Sequence, residues 1–246
     1  ARAFWAEAAW GGGDDPAPGR LQALREEARA TRRLLDRFLM QSDGLAQRAR
    51  AGLEALPLPI GTDWRWRSGS FDAPLIPFGM ARPKNGQRLG ADTALWHDCP
   101  DRALVLRQIV NERATDLAPF GLRLEVFSFA GSFLSLAVDL PEEALNGLSR
   151  SHVLRVETLI RPEYDMEIYV RLNIGHGPNT EQELRHLGGM RPRSLNHHVT
   201  EFDLAYTDIN EARLHKIWVD LIFASPQMNA VDLRDMHVSR HLRAEL

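Results

Sequence analysis

The stretch that most constrains this chain is residues 166–174, Met-Glu-Ile-Tyr-Val-Arg-Leu-Asn-Ile, in which every second residue is apolar. Side chains alternate across a β-strand, so Met166, Ile168, Val170, Leu172 and Ile174 share one face and Glu167, Tyr169, Arg171 and Asn173 the other. Such a segment lays one face on a core and turns the other outward, as the strands of antiparallel sheets do. It cannot bury its apolar face alone and demands partner strands.

Further alternating or apolar runs predict strands at 104–110, 122–129, 133–139, 153–160, 199–206, 217–224 and 231–239. Ala130-Gly131 predicts a hairpin, and Arg161-Pro162-Glu163-Tyr164 a turn between two strands. Pro141–Gly147 is at most a short helical turn. Too little helix separates the strands for a parallel α/β sheet. The expected fold is therefore mainly β, an antiparallel jelly-roll-like β-sandwich over residues 101–246, with an N-terminal amphipathic helix.

Residues 1–19, ending in Gly11-Gly-Gly-Asp-Asp-Pro-Ala-Pro-Gly19, read as a flexible segment. Over residues 20–55, Leu21, Leu24, Ala28, Thr31, Leu35, Phe38, Ser42, Leu45 and Ala49 recur at spacings of three and four, which predicts a helix with a narrow seam. That seam could carry homo-oligomerisation through residues 20–53 or dock on another protein, although Thr31, Ser42, Gly44 and Gly52 weaken it. Arg25, Arg29, Arg32, Arg33 and Arg37 lie on its other face, read as solvated beside Glu26, Glu27 and Asp36. Membrane contact stays a minor option for that face. Residues 56–100 are broken by Pro57, Pro59, Pro74, Pro77 and Pro83 yet carry Trp64, Trp66, Phe71, Phe78 and Trp96, so they are expected to wrap over the sandwich.

No apolar run is long enough for a membrane span. A formal net charge of -3 gives no electrostatic footprint for nucleic acid, which is not expected as a partner. Cys99 is the only cysteine, so no intrachain disulfide forms. Ala1–Trp10 lacks the pattern of a signal peptide, and the cytoplasm is the default compartment.

Three groups of residues could carry chemistry. Glu163, Asp165 and Glu167 have the spacing of a glycosidase carboxylate array, E-x-D-x-E as in jelly-roll endoglucanases, but follow Arg161-Pro162 and are expected in a turn. The histidines His97, His176, His186, His197, His198 and His215 have no ligand spacing, and no metal or cofactor is expected. His97-Asp98-Cys99-Pro100 reads as a loop with a buried thiol, and Gly175-His-Gly-Pro-Asn-Thr180 as a structural connector.

The outward residues of the strands form the third group. Arg155, Glu157, Glu167, Tyr169, Arg171, Asn173, Glu201, Asp203, Trp218 and Asp220 all fall opposite the apolar sides of their own segments. On one sheet, Arg155 would pair with Glu167, and the aromatics would sit among planar polar groups. A saccharide needs that mixture, because its ring stacks through C–H bonds while its hydroxyls take bidentate hydrogen bonds. The expected ligand-binding residues are Glu167, Tyr169, Arg171, Asn173, Trp218 and Asp220; none is expected to be catalytic.

Thr115–Leu124, Gly131–Leu136, Leu172–Gln182, Glu201–Thr207, Trp218–Phe223, Pro226–Asn229, Arg234-Asp235 and Arg243–Leu246 resemble an uncharacterised alphaproteobacterial family known only as a domain of unknown function. The resemblance covers about the last three-quarters of the chain. It implies one coherent folded unit, no agreed activity and no kept carboxylates at Glu163 and Asp165. The order of the last strands, ending in Asp232–Val238, is also similar in outline to jelly-roll carbohydrate-binding modules. The expected function is a non-catalytic binding protein for a saccharide or a cell-envelope protein, with a helix-driven scaffold and a jelly-roll glycoside hydrolase as alternatives.

Overall fold

All eight expected strands form. The computed structural model describes residue 5, residues 18–48, residue 53, and residues 56–112 and 116–243. Two compact units divide the chain, residues 1–42 and 43–246. Within the first runs most of helix α1, Pro18–Arg48. Pro18 opens it, at a position where the missing N–H leaves no bond unmade. Of the expected flexible segment, residues 1–19, Pro18 and Gly19 belong instead to the helix and the rest lies outside the described residues, Trp5 apart, as does the helix's expected extension over 49–55 apart from residue 53.

The second unit contains β1 (Thr62–Arg67), a short helix α2 (Gly69–Asp72), β2 (Gly79–Ala81), β3 (Gln87–Leu89), β4 (Thr93–His97), β5 (Leu104–Val110), β6 (Phe120–Val126) and β7 (Leu134–Asp139). It continues with β8 (His152–Pro162), β9 (Ile168–His176), β10 (Asn179–His186), β11 (Asn196–Asp203), β12 (Leu214–Phe223) and β13 (Asn229–Leu242). A 3-10 turn at Glu142–Leu145 is the short helical turn expected there.

Two antiparallel sheets result. One has the order β11-β8-β13-β6-β5-β2 with β1 also on β13, and the other β10-β9-β12-β7-β4-β3. Set side by side, the two orders put consecutive strands in matching places: β10 with β11, β8 with β9, β12 with β13, β6 with β7, β4 with β5, β2 with β3. The chain passes from one sheet to the other at each of those connections, which is the jelly-roll-like wrapping of an antiparallel sandwich. Ala130-Gly131 therefore does not close a hairpin. It lies between β6 and β7, which belong to different sheets.

Residues 62–97 also depart from expectation. They supply strands to both sheets rather than wrapping over them. The prolines lie between or just outside these strands, so each strand is short, and Trp64 and Trp66 alternate inward against the core. That core is aliphatic, with Leu95, Leu136, Leu154, Ile160, Val170 and Leu221 among its buried members. Gln108 enters it with its hydrogen bonds made: its amide donates to the Ser70 and Ala73 carbonyls and its oxygen accepts from the Leu75 N–H.

β13 organises the seven-stranded sheet. It pairs with β8 from Val231 to Leu242, while its other edge pairs first with β6 and then with β1. A register shift between Leu233 and Asp235 lets the strand change partners. Asn111 fastens the bulge, its amide donating to the carbonyls of Arg234 at 2.8 Å, Ala118 at 2.9 Å and Phe120 at 3.0 Å.

Candidate functional site

β9, β12, β7 and β4 are neighbours in the six-stranded sheet, and their registers set the outward side chains in three rows. Gln182, Asn173, Trp218 and Asp139 form the first, Leu184, Arg171, Asp220, Ala137 and Ala94 the second, and His186, Tyr169, Ile222, Ser135 and Trp96 the third. The floor between the large side chains is low, because Ala94, Ala137 and Ser135 are small. Tyr169 and Trp96 stand three strand spacings apart, about 14 Å. Trp96 is 45% exposed.

A planar polar network occupies the middle. Asp220 Oδ2 accepts from Arg171 Nε at 3.1 Å, Arg171 Nη2 at 2.8 Å and Asn173 Nδ2 at 2.9 Å. Gln182 Nε2 in turn donates to Asn173 Oδ1 at 3.1 Å. Asp220 is only 3% exposed, so these bonds fix its carboxylate on the sheet, whereas a third of the Arg171 side chain stays open to solvent. Lys216 holds its ammonium 4.8 Å from the centre of the Trp218 ring. The Tyr169 and His186 rings lie 4.8 Å apart at 47°. Tyr169 donates its hydroxyl to Glu167 at 3.3 Å, and the negative charge of Glu167 raises the phenol above its ordinary value of 10.0. The phenol remains a protonated donor at neutral pH.

At the Tyr169 end of this face opens a cavity of about 410 Å³, lined by Phe129, Phe133, Tyr169 and Ile222 with Ser132 and Gln227 as polar partners. Its Ser132–Phe133 wall is held in place by Asp98. The Asp98 carboxylate accepts from the Ser132 hydroxyl at 2.6 Å, the Ser132 N–H at 2.7 Å and the Phe133 N–H at 3.2 Å. Those bonds, the Ser132 hydroxyl foremost, hold Asp98 below its ordinary carboxylate value. Gly131 permits the approach, since a Cβ there would stand 2.8 Å from the Cys99 nitrogen and nearer still to Asp98. Cys99 itself is buried, as its loop reading implied.

Tyr169, Arg171, Asn173, Trp218 and Asp220 are thus brought together on one face, with Glu167 at its edge in the β8–β9 connection. Arg155, Glu157 and Glu201 are not: they lie on the seven-stranded sheet, where Arg155 pairs with Glu157 at 2.8 Å and Glu201 at 3.2 Å rather than with Glu167. Asp203 ends β11 on that same sheet and caps the next turn through the Ala205 N–H. Glu163 and Asp165 are exposed in the connection after β8, off any strand face. Trp96, Phe133, Gln182 and His186 belong to the site and were missed. Trp96, Gln182 and His186 sit on strands that are short or mostly polar, whereas Phe133 stands just before the apolar strand β7, and only the aromatic residues left a signal.

The histidines are engaged individually: His97 with the Pro83 carbonyl, His176 with the Asn210 N–H and His197 with Glu157. Among the described residues no group of three or more His, Cys, Asp or Glu side chains is placed to hold a metal ion. Among them also, no helix is long and apolar enough to cross a membrane. On α1, Leu21, Leu34, Leu35 and Phe38 are exposed, and Arg32 meets Asp36 at 3.6 Å in solvent; seam side chains beyond Phe38 lie outside the described residues.

A model of a family of unknown function, DUF6478, matches residues 2–246. No curated protein matches the sequence. Among solved structures, the chain is similar to the enzymatically active domain of tailspike protein 4 of bacteriophage CBA120, at 6% identity and a TM-score of 0.42 over 62% of this chain and 20% of that one. It thus spans about a fifth of the tailspike chain. It is also similar to the family 11 carbohydrate-binding module of Clostridium thermocellum, solved with a β-1,3-1,4-mixed-linked tetrasaccharide, at 9% identity and a TM-score of 0.40 over 63% and 92% of the two chains. A third similar structure is a xylan-binding domain of carbohydrate-binding module family 22, at 9% identity and a TM-score of 0.41 over 77% and 100%. Likenesses this loose assign no ligand.

Proposed function

Because the chain belongs to DUF6478, a family without an assigned role, its function has to be read from its own surfaces, and we propose that it is a non-catalytic saccharide-binding protein. The site is the outer face of the six-stranded sheet. One observation carries this reading: Trp96, Tyr169 and Trp218 stand around a fixed Arg171–Asp220–Asn173 network on the same rigid face. Aromatic rings take the apolar C–H face of a sugar, and planar amide, guanidinium and carboxylate groups take its hydroxyls in pairs. None of the described hydrogen bonds reaches Asp220 Oδ1, which is left as an acceptor for a ligand hydroxyl. The cavity beside Tyr169, at about 410 Å³, seats the end of a chain or one branch.

The test is a glycan and polysaccharide array probed with the full chain and with Trp218→Ala and Tyr169→Ala. We expect binding to neutral glycans that either substitution weakens by roughly tenfold, the size of one lost stacking contact, with unchanged cooperative unfolding. Silence across the neutral glycans, or binding indifferent to both substitutions, would overturn the reading.

A further inference from the structure

On the other sheet, the registers set Arg161 of β8, Asp232 of β13, Arg123 of β6 and Arg107 of β5 side by side in one outward row. Arg161, Arg123 and, from the same strand, Arg234 all pair with the one Asp232 carboxylate, an unbalanced arrangement. Asp232, 2% exposed, accepts on Oδ2 from Arg161 Nε at 3.1 Å and Nη2 at 2.5 Å and from Arg234 Nη2 at 3.2 Å, which leaves Arg161 its Nη1 side for a ligand. Arg123 Nη1 lies 3.3 Å from Oδ1 without hydrogen-bond geometry, so that buried oxygen has no donor. Glu125 accepts from Arg107 at 3.1 Å and Arg123 at 3.2 Å, and its charge is shared between them.

A cavity of about 250 Å³ opens beside this row. Arg123, Arg161, Arg193, Ala230, Asp232 and Glu163 are among the residues that line it. Arg193 has no partner among the described ion pairs, yet it is held in place. Its backbone N–H donates to the Pro162 carbonyl at 2.7 Å, and its guanidinium lies 5.5 Å from the Tyr164 ring centre.

We infer that this cavity is a second ligand site, for an acidic sugar that places its carboxylate on Arg161 and Arg193 and a hydroxyl on Asp232. Guanidinium groups bind carboxylates through paired N–H donors, and a positive surplus in a recess favours an anion. The orphaned Asp232 oxygen asks for an O–H donor in the same ligand, since a buried acceptor without a donor is costly. The space, below the ~300–1,000 Å³ of drug-sized pockets, suits one sugar ring. This site shares no residue with the saccharide face proposed above and stands or falls without it.

Calorimetric titration of the full chain at low ionic strength with sodium glucuronate, glucose and inorganic phosphate tests the proposal. Glucuronate is expected to bind, and any heat from glucose, a ligand for the neutral-glycan face, to be unaffected by Arg193→Gln. Arg193→Gln removes the unpaired guanidinium, and Ala230→Leu fills the cavity; each is expected to weaken glucuronate by roughly tenfold or more, whereas Tyr169→Ala leaves it unchanged. Should Ala230→Leu misfold, Arg193→Gln decides, because that side chain is exposed. No glucuronate heat, glucose binding that Arg193→Gln weakens equally, or a glucuronate affinity that Arg193→Gln leaves unchanged would overturn the site. Phosphate binding as tightly as glucuronate would overturn the sugar acid in favour of a bare anion site.

Discussion

Glu157 is nearly buried between three cationic or protonatable neighbours. It accepts from Arg155 at 2.8 Å and from His197 at 2.9 Å, with His237 Nε2 at 3.7 Å. His237 in turn faces Asp235 on its own strand and Arg67 across β1. Burial opposes ionisation of Glu157, but the hydrogen bonds from Arg155 and His197 outweigh it and hold the carboxyl below its ordinary value of 4.5. A folded-state value below the unfolded one means stability that is present above pH ~4.5 and lost as pH falls through the folded value. Glu157→Gln should therefore cost about 1–2 kcal/mol at pH 7 and progressively less below pH ~4.5. Urea unfolding of both proteins at pH 7 and pH 3 reads the difference, and a gap that does not shrink in acid would disprove it. Alternation correctly placed Tyr169, Arg171, Asn173, Trp218 and Asp220 together because β9 and β12 are direct neighbours. It wrongly added Glu157 and Arg155 for a plain reason: a period of two tells which side of its own strand a residue takes, and says nothing of which sheet the strand joins.

The bulge in β13 sets how the elements of the seven-stranded sheet fit. A Cβ on Gly121 would stand 2.8 Å from the Leu233 carbonyl oxygen and 3.1 Å from Arg234 Cα, both in that bulge, and 3.2 Å from Oδ1 of Asn111, which fastens it. Gly121→Ala must push β6 off β13 and is expected to destabilise the fold by about 1–3 kcal/mol. Gly69→Ala, with nothing within 4 Å, is the control expected to stay near neutral. Thermal unfolding of the two variants compares them, and equal melting points would refute a steric requirement at Gly121. Strand legibility follows the same local logic. β5 to β9 and β11 to β13 announced themselves by alternating or continuous apolar runs. β1 to β4 have at most six residues each, too few for a period to show, and proline and glycine surround them. β10 is an edge strand exposed along nearly its whole length, with polar residues at most positions, a composition that protects an edge and erases the pattern.

At the scale of the whole molecule, the matched strand orders leave two outward faces with one core between them. The topology was not legible because each pass between sheets depends on pairing partners far apart in sequence, and a turn such as Ala130-Gly131 has the same composition whether it closes a hairpin or crosses the sandwich. The two proposed sites therefore lie on faces of different chemistry: aromatic rings around a neutralised polar network on one, surplus guanidinium groups on the other. Sheets in a sandwich stack about 10 Å apart, and no residue or hydrogen bond is common to the Tyr169 and Arg193 sites. Sites separated in this way add within about 0.5 kcal/mol. Tyr169→Ala should weaken neutral-glycan binding equally in the native and the Arg193→Gln backgrounds, and the double variant's unfolding free energy should equal the sum of the single changes within that margin. Calorimetry and urea unfolding on the four proteins of this cycle measure both. A larger interaction energy would mean that the aliphatic core between the sheets transmits strain from one face to the other, and the two surfaces would then have to be treated as one coupled site.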